Sequence, residues 1–198
     1  MNKLSILFIG VSSTFLLSGC ISNSNKTEQI SEEQFANKLA NIQEHTYSKA
    51  TVHATEHIVG TGDFSQNRNE ERTEEYTHYP DTGAWIVENG DSLLRRYVYN
   101  FDSLESFKLW LEDPELSYSY KFYSDLTVEI KETGSYTENM MGVVKTVDID
   151  SNMTIKINEH GYLASLVGTY EQDIVQTAGE TTYRGTRSGE SSIEISYK

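Results

Sequence analysis

From Ser48 to Gly60 the chain alternates apolar and polar positions with a period of two. Ala50, Val52, Ala54 and Ile58 fall on one side of an extended strand, with Thr51, His53, Thr55 and His57 on the other. The preceding segment has a different rhythm, in which Phe35, Ala36, Leu39 and Ile42 recur at helical spacing. Ser31 and Gln34 have the spacing of a capping box, and Ile30 and Phe35 that of a hydrophobic staple. The pattern therefore predicts an amphipathic helix over 32–45 with a fixed start.

After Gly60-Thr61-Gly62 the stretch SQNRNEERTEEYTHY is almost wholly polar and reads as an exposed or edge strand. Pro80-Asp81-Thr82-Gly83 turns the chain. AWIVENGDSLLRRYVYNF then reads as a hairpin, with Asn89-Gly90 supplying the positive φ angles of a type I′ turn. Asp102 and Glu105 form a second capping signal ahead of an apolar stripe at Leu104, Phe107 and Leu111, and Asp113-Pro114 ends that helix. Strands follow at 125–132, 142–149, 153–158, 162–171, 172–178 and 190–197. Their expected turns lie at Thr133-Gly134, His160-Gly161, Ala178-Gly179 and Arg184 to Gly189. The expected fold class is α+β: a curved, mostly antiparallel, half-barrel-like sheet packed on an N-terminal helix and a short inserted helix. Residues 30–198 are expected to form this single domain.

The first twenty residues carry a different signal. Lys3 precedes the apolar run LSILFIGVSSTFLL, and the small pair Ser18-Gly19 precedes Cys20, the one cysteine of the chain. The run is too short and too serine-interrupted for a secure membrane span, which needs about 20 apolar residues. Leu17-Ser18-Gly19-Cys20 resembles the lipobox of bacterial lipoproteins. That resemblance implies a signal peptide at 1–19, cleavage before Cys20 and a diacylglyceryl group, of palmitate type, on its sulfur. Two acyl chains bury enough methylene to hold a protein on a bilayer, at about 0.8 kcal/mol per CH₂. The expected location is the cell membrane, lipid-anchored and facing outside the cytoplasm. Residues 20–29, polar and without periodicity, read as a flexible tether.

Charge narrows the partners. Sixteen Lys and Arg stand against thirty Asp and Glu, for a net charge of -14. Such a balance disfavours nucleic acid and any electrostatic grip on anionic lipid, because phosphate contacts need a basic surface. An aromatic content of 11% and the alternating strands argue against general disorder.

The candidate chemistry is sparse. His53 and His57 share a strand face, with Glu74, Glu75 and His78 in the next strand. Four residues of strand separate the two rings by about 13 Å, too far for one ion to bridge. Asp148, Asp150 and Asn152, with Glu159 at the twelfth position, partly imitate a calcium loop, but Met153 stands where glycine is required. A turn built from Asp150, Ser151 and Asn152 accounts for those residues more simply. Paired acids such as Glu70-Glu71 and Glu74-Glu75 sit in the most polar segment, and no nucleophile elbow, phosphate loop or metalloprotease motif occurs. No catalytic residue, metal or cofactor is expected.

The remaining asymmetry is aromatic. Trp85, Tyr97, Tyr99, Phe101, Phe107, Trp110, Tyr118, Tyr120, Phe122 and Tyr123 all fall between 85 and 123. The capped helix leading into SKATVHATEH, the WIVENGDSLLRRYVY hairpin and the terminal MTIKINEHGYLASLVGTY meander together resemble the LolA/LppX-type lipid carriers of bacterial envelopes. That resemblance implies a half-barrel closed by helices and an apolar or lipid-like ligand in its concavity, with Trp85, Tyr97, Tyr99, Phe107 and Trp110 as the expected lining. Two readings stay open: such a carrier, or a protein-interaction module displayed at the surface through strand 66–79. The same aromatics also serve an ordinary core.

Overall fold

The computed structural model describes residues 27–198. Cys20 and the signal segment lie outside the described residues. The strands are β1 (Gln29–Ile30), β2 (Lys49–Gly60), β3 (Gln66–Tyr79), β4 (Ala84–Asn89), β5 (Leu116–Tyr123), β6 (Thr127–Met140), β7 (Val143–Ile157), β8 (Leu163–Ala178) and β9 (Thr181–Tyr197). Two α-helices are interspersed, α1 (Glu32–Ala40) and α2 (Leu104–Leu111). All nine strands join one open sheet in the order β1-β5-β6-β7-β8-β9-β2-β3-β4, and every neighbouring pair is antiparallel. The C-terminal strand thus lies beside the first long one, which joins a β5–β9 meander to a β2–β4 meander.

The alternation in β2 sets which face is buried. Ala50, Val52 and Ala54 point to the helix-bearing face, where they meet Val128, Ile130, Met153, Ile155, Leu163, Leu166, Ile193 and Ile195. From the other side come Phe35 and Leu39 of α1, Phe107 and Leu111 of α2, and Leu94, Tyr97, Val98 and Phe101 of the segment between β4 and α2. This core occupies the half of the sheet that includes the end where β2 begins and β7 finishes. Phe35 packs on Phe122 of β5 with ring centroids 4.7 Å apart, and Lys108 of α2 reaches Glu32 of α1 at 2.7 Å.

The α1 start is the expected one. Ser31 accepts a hydrogen bond from the Gln34 N–H at 3.2 Å, and the Gln34 side chain accepts one from the Ser31 N–H at 2.8 Å. The helix ends at Ala40, five residues short of expectation. His45 and Tyr47 leave the helical path to pack with His160, Tyr162 and Tyr197 at the strand ends. In α2 the cap is Ser103 rather than Asp102, because the Ser103 hydroxyl accepts from the Ser106 N–H at 3.1 Å.

Strand segmentation is where expectation departs most. Segments 142–149 and 153–158 are one strand, β7, so Asp150, Ser151 and Asn152 lie mid-strand and form neither a turn nor a calcium loop. Likewise 162–171 and 172–178 are one strand, β8, and Arg184 to Gly189 continue β9. Polar residues fit mid-strand here because each of these strands carries one solvated face. Strand β5 was not anticipated, although its Tyr118, Tyr120 and Phe122 alternate with Ser119 and Lys121. Gly134 lies within β6, and the β6–β7 turn falls at Met141-Gly142. The hairpin centred on Asn89-Gly90 has a first arm, β4, and no second: residues 95–97 form a single 3-10 turn.

Candidate functional site

Beyond the helix-covered core, a row of polar side chains crosses the same face. Tyr118, Glu132, Ser151, Tyr170 and Gly189 stand opposite one another on consecutive strands from β5 to β9. Glu56 of β2, paired with Ser191 of β9, comes next to this row. Glu132 is fully engaged: it accepts from the Tyr118 hydroxyl at 2.9 Å and the Ser151 hydroxyl at 2.6 Å.

Glu56 is engaged on one side only. It is 2% exposed. Oε1 accepts from the Tyr170 hydroxyl at 3.2 Å, while Oε2 is buried and has no hydrogen-bond partner among the described residues. Gly189 makes the Tyr170 placement workable, since a Cβ at that position would meet the Tyr170 ring at 2.6 Å. Burial pushes the Glu56 carboxyl up to about 7, and Glu70 across the strand pair adds to the rise. The Tyr170 hydrogen bond and the charges of Arg68 and Arg187 oppose it. The nearby Tyr97, from the 3-10 turn, is itself made a weaker acid by burial, with the Arg96 charge opposing and the Glu56 charge contributing. Arg187 lies next after Gly189 on that face of β9, and its Nε is also buried without a hydrogen-bond partner among the described residues.

Past the polar row the face becomes apolar again. Val147 and Ile174, beyond the row, and Ile58, opposite Gly189 at its edge, are buried and form no part of the main core. The face thus has two apolar regions separated by a belt of carboxyl and hydroxyl groups.

A second buried carboxylate sits on β3. Glu74 accepts from the N–H groups of Asp91, Leu93 and Leu94 at 3.3, 3.3 and 2.9 Å, and from the Tyr76 hydroxyl. Burial alone would raise its proton affinity, but these hydrogen bonds outweigh burial and hold the carboxyl below its ordinary value. The segment after β4 wraps this carboxylate instead of forming the second arm of a hairpin.

The five aromatics expected to line a ligand space separate into two packed groups. Trp85 packs against His78, tilted, and Tyr197, edge-on, with ring centroids 4.9 and 6.3 Å away. Phe107 and Trp110 pack on Phe101 at 5.3 and 5.4 Å, and Trp110 donates its indole N–H to the Arg96 carbonyl at 3.0 Å. Tyr97 is buried in the core, and Tyr99 lies 37% exposed at its edge. Glu56 was missed by sequence reasoning, although the signal is plain: it holds the inward phase between Ala54 and Ile58. His53 and His57 face outward, bonded to Thr73 at 3.0 Å and Asn69 at 2.7 Å.

Among the described residues, no group of three His, Cys, Asp or Glu is placed to hold a metal ion. No described helix is long and apolar enough to cross a membrane. Comparison with known protein families, with characterised proteins and with solved structures gives no match.

Proposed function

We propose that this chain is a lipid-anchored protein outside the cytoplasm that holds an apolar or lipid-like ligand on the helix-bearing face of its sheet. The observation that carries the reading is the second apolar region. Val147 and Ile174 lie on the same face as the core but beyond the belt of Glu56, Tyr170, Ser151 and Glu132, while Ile58 stands at the belt itself, opposite Gly189. A core that served stability alone would have no use for buried carboxyls inside it, because each one costs desolvation energy. Ligand sites, by contrast, pair apolar walls with a few placed polar groups.

The lipobox Leu17-Ser18-Gly19-Cys20 supports anchoring. Six residues lie between Cys20 and the first described residue, Thr27, so seven Cα steps put the start of the domain within about 25 Å of its anchor. The expected lining shifts from the aromatic cluster to Ile58, Val147, Ile174 and the polar belt.

The test is titration of the full chain, in its Cys20→Ser form, with the neutral apolar dye N-phenyl-1-naphthylamine. Saturable fluorescence enhancement is expected, and Val147→Phe and Ile174→Phe, which enlarge side chains of the region, should each weaken it about tenfold. Enhancement that is linear in dye and indifferent to both substitutions would dismiss the reading. A second reading, a protein-interaction module, draws on the β6–β7 tip, where Met140 and Met141 are exposed beside the likewise exposed Val144.

A further inference from the structure

One end of the sheet is formed by β3 and β4, and the two strands differ in length. β3 runs from Gln66 to Tyr79, but β4 pairs with it only from Glu75 onward. Glu74 and Arg72 meet the segment after β4 instead, Glu74 through the Leu94 N–H at 2.9 Å and Arg72 through Asp91 at 3.6 Å. From Gln66 to Arg72, β3 pairs with β2 on one side, and no described strand pairs with its other side. Asn67, Arg68, Asn69 and Glu71 of that run are exposed. Such an edge is a template for another strand, and proteins usually blunt it with proline, a bulge or repelling charge. Here the run holds no proline, and the register shift of β3 falls beyond it, between Glu75 and Tyr76. Its charges balance, Arg68 and Arg72 against Glu70 and Glu71, within a chain of net charge -14.

Those charges select a partner. When an edge strand pairs antiparallel with its own copy about a two-fold axis, residues equidistant from one central residue face each other. Centred on Arg68, Glu70 or Glu71, the pairing sets that charge against itself, and like charges directly opposite destabilise a sheet. Centred on Asn69, the middle of the open run, it sets Arg68 against Glu70 of the second copy twice over. Asn69 then faces its own equivalent, and Asn67 faces Glu71. Within one chain Arg68 and Glu70 lie 2.8 Å apart and keep 47% and 37% of their side-chain surface exposed, so both have room to reach across the edge.

We propose that the chain pairs with a second copy of itself through β3, antiparallel and centred on Asn69, so that two nine-stranded sheets run on into one. The pairing uses the outer edge of the sheet and is independent of any ligand on its inner face. The edge is narrow beside a standard interface of about 1,600 Å², so the expected affinity is micromolar.

The experiment uses the full chain in its Cys20→Ser form. Sedimentation velocity at near-physiological salt should show monomer and dimer in exchange. Arg68→Glu and Glu70→Arg each turn both cross-copy attractions into repulsions and should each weaken the dimer about tenfold. Mixed in equal amounts, the two variants present opposite charges to one another again, and dimer should return to the wild-type level. Register is read by oxidative cross-linking, since an introduced cysteine is then the single thiol of the chain. Asn69→Cys should cross-link at least about tenfold faster than Asn67→Cys, whose own counterpart lies about 13 Å along the strand. A wild-type chain that stays monomeric into the millimolar range, or a mixture no more associated than its two components, would overturn the dimer. Equal cross-linking at the two positions would overturn the register centred on Asn69.

Discussion

Glu56 on β2 and Glu74 on β3 are buried carboxyls on adjacent strands, and the chain treats them in opposite ways. Glu74 has three backbone N–H donors and a tyrosine hydroxyl around it, so its charge is solvated by the protein. Glu56 has one tyrosine hydroxyl and, among the described residues, no partner for its second oxygen. The first arrangement ties a surface segment to the sheet. The second leaves a carboxyl half-satisfied inside the fold, and burial raises its proton affinity. Burial alone does not set the proton affinity of a carboxyl; the count of donors around it decides the direction.

The comparison can be broken most strongly at Glu74. Glu74→Ala removes the acceptor of three backbone N–H groups and should destabilise the protein by about 3–5 kcal/mol, read by chemical denaturation. A loss below about 1 kcal/mol would mean that the 91–94 segment is held by other contacts.

The two acids should also give opposite pH dependences. Glu56 sits at about 7 in the fold against an ordinary 4.5, so the folded state holds its proton more tightly. Its contribution therefore falls as pH rises from the ordinary value through 7, by about 2–3 kcal/mol. Glu74, held below its ordinary value, contributes stability above that value and loses it as pH falls through the folded one. Denaturation of wild type and Glu56→Gln from pH 5 to pH 8 separates them: the variant should decline less, and identical slopes would remove Glu56 as the cause.

A smaller effect is expected at Gly90. With φ at +105°, and an added Cβ only 2.5 Å from the Glu74 Cγ, Gly90→Ala should cost about 1–3 kcal/mol. The same change at Gly83, where φ is +65° and nothing lies within 4 Å of an added Cβ, should cost less. Equal melting-temperature shifts for the pair would show that backbone conformation, not the Glu74 contact, dominates.

Local signals in the sequence were legible where side chains speak to their own neighbourhood. The Ser31 cap, the two-residue rhythm of β2 and the turn at Pro80 to Gly83 needed no tertiary information. Strand length was not legible, because polar runs such as Asp148 to Asn152 resemble turns until a partner strand is known. The failed second hairpin arm has the same origin. Asn89-Gly90 is a sound turn signal, but Glu74, fifteen residues upstream, captures the chain that follows. The aromatic cluster was visible as a composition bias, yet its rings pair with one another and with core aliphatics. Glu56 was legible in principle, as a carboxyl in the inward phase of an otherwise apolar strand face.

Native mass spectrometry of the full chain in its Cys20→Ser form, with monoolein added, addresses the central claim directly. The account predicts one bound lipid per chain, retained at low collision energy and weakened in Val147→Phe. An unshifted mass at saturating lipid, in a sample whose denaturation confirms the fold, would contradict it.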